Sequence, residues 1–154
     1  MNLLENIAHA DPAQAQDLII REFTEMGDVF AQYTYLVELS SLMAPMTDAE
    51  RGASTDVADC QSKVWVLARL DDAGCVRIVA DSDTLIVRSV LGIFVALIDG
   101  KPADRIDIAS LDRFVNETEL KETFSSARLK GFGAIKRTIA ELIAPSREDG
   151  RKAK

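Results

Sequence analysis

The chain has 154 residues, of which 47% are hydrophobic, and a formal net charge of −7. That length supports one domain with its own core and is short for two. The acidic balance argues against nucleic-acid binding, which needs a basic surface to displace phosphate counterions, and it opposes contact with anionic membranes.

The opening Met1-Asn2-Leu3-Leu4-Glu5 lacks the basic start and apolar core of a secretory signal, so a cytoplasmic protein is expected. His9 stands in a polar segment and is expected to be solvated. Asp11 and Pro12 then supply the N-cap and first-turn proline of a helix carrying Leu18, Ile19, Phe23 and Met26 up to Gly27. A second helix is predicted from Asp28 through Phe30, Tyr33, Leu36 and Leu39, with Pro45 as its stop. The polar stretch 47–54 reads as a surface connection, and Thr55-Asp56-Val57 as a short strand.

The next strand alternates, with Val64, Val66, Ala68 and Leu70 on one face and Lys63, Trp65, Leu67 and Arg69 on the other. Asp71-Asp72-Ala73-Gly74 reads as the turn of a hairpin that sets Leu70 opposite Cys75, with Ile78 and Ala80 on the second arm. The segment 83–98 is apolar nearly all round, which predicts a buried central helix. Its longest apolar run, 90–98, falls short of the roughly 18 residues that a membrane span requires. Short helical pieces over 102–106 and 111–115 and a terminal helix over 126–143 complete an α+β fold, a small antiparallel sheet packed against helices from both ends of the chain. The domain is placed at 1–144, and the polar tail 145–154 is predicted to be disordered.

With Cys60, Cys75 and His9 as the only residues of their kinds, the spacing and number required for zinc are missing, and no metal is expected. The hairpin puts the two thiols at opposite ends, on the order of 25–30 Å apart at about 3.3 Å per residue, too far for a disulfide. Cys60 lies between a polar loop and the β-rich run, in Asp59-Cys60-Gln61-Ser62-Lys63-Val64-Trp65. The expected register brings Ser62 opposite Asp83 and so places Cys60 near the N-terminus of the central helix. The partial positive charge there favours a thiolate, while Asp59, Asp81 and Asp83 oppose it. A lone cysteine is more often a small buried hydrophobe, and that reading stands beside the reactive one for Cys60 and is adopted for Cys75. Asp81-Ser82-Asp83 reads as a strand exit and helix N-cap. Arg88, on an otherwise apolar helix, needs a carboxylate or carbonyl partner. Arg128 is either solvated or anchors a loop.

The cysteine motif, Ala80-Asp81-Ser82-Asp83 with Ile86-Val87-Arg88, and Tyr33 with Tyr35-Leu36-Val37-Glu38-Leu39 together resemble the SufE family of sulfur-acceptor proteins, in order and spacing, over approximately 23–143. The resemblance implies a SufE/NifU-like fold. It also implies that Cys60 accepts persulfide sulfur from a SufS-like or CsdA-like cysteine desulfurase, stimulates that enzyme, and passes the sulfur to an iron–sulfur scaffold. Pyridoxal phosphate would then belong to the desulfurase and no cofactor to this chain. Asp59, Gln61, Ser62, Asp83, Arg88 and Arg128 become supporting or partner-contact residues, with Arg128 and Gly131 matching the family's Ser-Arg-x-x-Gly element.

The departures are Asp59 where the family usually has glycine, Val29 where it has tryptophan, and Thr123-Phe124-Ser125-Ser126-Ala127-Arg128 where it reads His-Leu-Thr/Ser-Pro-Ser-Arg. A docking module that keeps the scaffold without carrying sulfur is the alternative from another class. A thiol redox sensor is weaker, because the second cysteine is remote and cannot resolve a sulfenic acid. The sequence leaves a homodimer open.

Overall fold

The computed structural model describes residues 2–144, so the tail expected to be disordered lies outside the described residues. Helix α1, Leu3–His9, precedes anything the periodicity predicted. Asn2 accepts the Glu5 N–H at 2.9 Å to cap it, and Leu3 and Ile7, one turn apart, are buried. Exposed His9 ends it. Helix α2, Pro12–Met26, carries the expected Asp11 cap, Pro12 start and Gly27 stop.

Helix α3, Val29–Leu39, starts at the Asp28 cap but ends before Pro45, tightening into a 3-10 turn at Ser40–Leu42. The hydroxyls of Ser40 and Ser41 donate to the carbonyls of Val37 and Glu38 at 2.7 and 2.8 Å. Such local bonds compete with helix propagation. The expected surface connection 47–54 is instead a short helix, α4, Asp48–Ala53, held by a capping box between Thr47 and Glu50.

Strands β1 (Thr55–Asp56), β2 (Val64–Leu70) and β3 (Val76–Ser82) form an antiparallel sheet in the order β1-β2-β3. The hairpin register differs by one residue from expectation, since Leu70 pairs with Val76 and Val64 with Ser82. The cause is the turn. Asp71 N–H donates to the Cys75 carbonyl and Gly74 N–H to the Asp71 carbonyl, both at 2.9 Å, with Gly74 at φ +79°. That is a three-residue loop, 72–74, with glycine in the left-handed position. Continued toward the cysteine, this register sets Lys63 against Asp83, whose N–H donates to the Lys63 carbonyl at 3.3 Å, and leaves Ser62 to meet Thr84.

Helix α5, Leu85–Ile98, is buried nearly all round as its composition predicted. The expected cap is displaced, because Asp81 and Ser82 still belong to β3 and the N-cap position falls to Thr84. Helices α5 and α7 (Ser126–Ile143) pack on the sheet, and α1, α2 and α3 pack on α5. The helices are not confined to one face of the sheet, since Arg51 of α4 lies 4.5 Å over the ring of Trp65, which points away from Val64 and Val66. Between α5 and α7 the two expected helical pieces resolve into 3-10 turns at Ala103–Arg105, Ile108–Ser110 and Glu119–Thr123 around the short α6, Arg113–Asn116. Phe23 and Phe94 flank Phe114 in the core, with ring centroids 6.2 and 6.3 Å from it.

Candidate functional site: a cysteine loop seated on the last helix

The loop begins where Val57 N–H donates to the Val64 carbonyl at 3.0 Å, closing the residues between them into an excursion from the end of the sheet. Asp59, exposed on it, has φ +65° and is the only non-glycine residue in the left-handed region among those described. Aspartate is one of the few side chains that tolerate this conformation, at a cost of roughly 1–2 kcal/mol that glycine would not incur. It turns the chain so that Cys60 points inward.

The Cys60 sulfur lies half-buried, 3.4 Å from the carbonyl oxygen of Gly131 on α7. A methyl group at Gly131 would stand 3.4 Å from the sulfur, the near edge of ordinary van der Waals contact, so the sulfur packs directly on the α7 backbone. Val64, Val87, Phe132 and Ile135 supply an apolar floor, and Gln61, Ser62, Ala127 and Arg128 complete the cleft. About 20 Å³ is free inside it, room for one water-sized group.

Burial pushes the Cys60 thiol above the ordinary thiol range, and the neighbouring Asp59 carboxylate pushes it the same way. Of the opposing influences that the sequence left in balance, the Asp59 carboxylate acts as expected, and burial adds to it against the thiolate. The sulfur faces a carbonyl oxygen on α7, which accepts from a thiol and repels a thiolate. The site thus holds a half-buried thiol whose ionisation is disfavoured.

Of the residues singled out in the sequence, Cys60, Gln61, Ser62 and Arg128 share this cleft, with Gly131 beneath the sulfur. Asp83 stands at the stem, where its Oδ1 accepts the Lys63 N–H at 3.1 Å. Arg88 is elsewhere. Its guanidinium contacts Asp81 Oδ1 at 2.9 Å and donates to the Met43 carbonyl at 3.0 Å, so it supports the chain before α4, and the role expected for it at the cysteine loop is not what its contacts serve. The residue missed is Thr84, whose Oγ1 lies 2.8 Å from Ser62 Oγ. A hydroxyl just before an apolar helix is a visible signal, but the one-residue register error hid its partner. Cys75 is free, as is Cys60, and makes an isolated bridge with Pro102 through its backbone.

Replacing Asp59 with glycine removes the smaller of the two causes that raise the thiol. With Cys75→Ser as background, Asp59→Gly is expected to speed iodoacetamide alkylation of Cys60 near neutral pH by about two- to fivefold. The midpoint of the pH profile should fall yet stay above that of an ordinary thiol, because burial remains. Superimposable profiles would mean that the carboxylate exerts no field on the sulfur.

Among the described residues no helix is long and apolar enough to cross a membrane, and no group of three or more His, Cys, Asp or Glu side chains is placed to hold a metal ion. The fold is similar to the solution structure of a hypothetical protein from Thermus thermophilus, with a TM-score of 0.64 and 18% identity over 86% of this chain and 92% of that one. Residues 17–143 match the family described as SufE, Fe-S metabolism associated domain, a match that takes in the cysteine loop, the stem at Asp83 and the seat on α7. The chain belongs to the SufE family, whose domain is associated with iron–sulfur metabolism.

Proposed function

We propose that this protein is a cytoplasmic sulfur carrier: Cys60 takes sulfur from the persulfide of a pyridoxal-phosphate cysteine desulfurase, stimulates that enzyme, and delivers the sulfur to an iron–sulfur scaffold. The observation that carries the reading is the seat of Cys60, a thiol at a loop tip held in an apolar cleft by one long S–H···O contact of 3.4 Å. Such a contact is weak, so the sulfur itself is only lightly held in the cleft.

In the transfer, the Cys60 thiolate attacks the outer sulfur of the donor persulfide. The S–S bond of the donor breaks, the donor cysteine leaves as its thiolate, and a persulfide remains on Cys60 with no net change in oxidation state. The chain needs no cofactor of its own for this exchange; pyridoxal phosphate works in the donor enzyme. Because the sulfur faces α7, attack requires the loop to swing out. The raised thiol pKa keeps Cys60 mostly neutral until then.

Incubation with a cysteine desulfurase, pyridoxal phosphate and cysteine, followed by peptide mass spectrometry, tests the reading. One extra sulfur atom on the Cys60 peptide, lost on reduction, is expected, with none on the Cys75 peptide. Stimulated desulfurase with no sulfur on Cys60 would instead establish a docking module, the alternative that the charged, left-handed Asp59 favours.

A further inference from the structure

We infer that Thr84 is a positioning residue whose hydroxyl latches the cysteine loop shut through Ser62, and that this latch sets how often Cys60 becomes reachable. The consequence for sulfur transfer rests on the carrier reading above; the latch itself does not.

Lys63 is fixed. Its N–H donates to Asp83 Oδ1 at 3.1 Å, and its carbonyl accepts from Ser82 Oγ at 2.7 Å and from Asp83 N–H at 3.3 Å. Gln61 and Ser62 lie between this fixed point and Cys60, and of the two Ser62 is the one whose side chain is hydrogen-bonded to the fold, so an outward swing of the whole loop tip on this side strains or breaks the Ser62 contact. Ser62 Oγ lies 2.8 Å from Thr84 Oγ1, which in turn lies 3.1 Å from Asp83 Oδ1. A hydroxyl carries a single proton, so both contacts are used when Ser62 donates to Thr84 and Thr84 donates to the Asp83 carboxylate. A chain of this kind ends on a charge and is stronger than an isolated hydroxyl pair.

Thr84 occupies the N-cap position of α5, where a threonine hydroxyl ordinarily accepts from its own helix. Here it makes no such bond, and the Thr84 N–H donates instead to Ser82 Oγ at 3.2 Å. The hydroxyl serves the loop and not the helix. Removing it costs α5 no cap, which separates a positioning role from a structural one. Among the described residues the only other polar tie that the loop tip makes with the rest of the fold is Cys60 Sγ to the Gly131 carbonyl, a weak one, so the hydroxyl pair is the stronger restraint.

The test is iodoacetamide alkylation of Cys60 at one fixed pH, in a Cys75→Ser background, with melting temperatures measured alongside. Thr84→Val keeps the branched shape and removes the hydroxyl; Ser62→Ala removes the other half. Each is expected to raise the rate about three- to tenfold. The double variant should be no faster than the faster single, because both remove the same bond. Thr84→Ser should restore the slow rate, and the melting temperature of Thr84→Val should stay near that of the parent. A parental alkylation rate in both single variants, or a double variant as fast as the product of the two effects, would overturn the latch. Its failure is distinguishable from failure of the carrier reading: alkylation that responds while no sulfur reaches Cys60 from a desulfurase keeps the latch and removes the carrier.

Discussion

Cys60→Ser is expected to abolish both the sulfur gain and the stimulation of desulfurase activity, bringing sulfide release down to that of the desulfurase alone. Cys75→Ser should change neither. Serine is nearly isosteric with cysteine, and its hydroxyl can donate to the Gly131 carbonyl as the thiol does, so the closed loop should persist. What is lost is the sulfur chemistry, because a serine oxygen is not ionised near neutral pH and cannot hold a persulfide. Cys75 is at the far end of the hairpin from the cleft, and its N–H, not its sulfur, bonds to Asp71 Oδ1 at 3.0 Å. The assay is sulfide release under reducing conditions with the same desulfurase in each arm. Full stimulation by Cys60→Ser would show that docking alone activates the enzyme, and the carrier reading would fall.

The parts of the fold legible in sequence are those set by contacts along the chain. Asp11, Pro12 and Gly27 bounded α2 correctly, and the apolar spacing of Leu129, Phe132, Ile135 and Ile139 located α7 to the residue. Helix α1 escaped because seven residues with two buried apolar positions carry almost no periodic signal; it forms by packing on α5. Helix α4 was legible and overlooked, since Thr47 and Glu50 are a capping-box pair. The hairpin register is legible in the apolar pattern as well. The apolar sets Val64/Val66 and Ile78/Ala80 share a face only if Val66 pairs with Ala80, as it does, and not with Val79.

The site was only half legible. Cys60 stood out by its place in the chain, but its surroundings come from α7, and Gly131 is 71 residues away. Local sequence could suggest a helix N-terminus near the thiol and could not show that the sulfur turns toward a carbonyl on another helix. Both the direction in which the thiol is perturbed and the meaning of Gly131 depend on that turn. Asp59 shows the same limit from the other side. The missing glycine was visible in sequence, whereas the backbone conformation that makes its absence matter, φ +65°, belongs to the folded loop.

Arg88→Ala should destabilise the protein by about 3 kcal/mol, the low end of what breaking a buried ion pair costs. The Arg88 side chain is 18% exposed and that of Asp81 only 6%, so solvent screens the pair poorly. The 2.9 Å contact from Arg88 Nε to Asp81 Oδ1 is ionic and falls outside good hydrogen-bond alignment, while another of the guanidinium nitrogens donates to the Met43 carbonyl. Alanine leaves that carbonyl without its donor and removes one of two cations from a buried carboxylate. The carboxylate is not wholly orphaned. Arg51 stays 3.8 Å from Oδ2, and the backbone N–H groups of Met46 and Ser82 donate to it at 3.2 and 2.8 Å, which keeps the expected cost from the upper end of the range. At about 2–4 °C per kcal/mol for a chain of this size, the melting temperature should fall by roughly 6–12 °C. Arg88→Lys should fall between, since one ammonium cannot reach both the carboxylate and the carbonyl with the same geometry. Because Arg88 lines no part of the Cys60 cleft, alkylation of Cys60 in Arg88→Ala, measured well below its melting temperature, should match the parent. An unchanged melting temperature would mean that Arg51 and the Met46 N–H hold α4 and the preceding chain to Asp81 without help, and that Arg88 adds nothing to them.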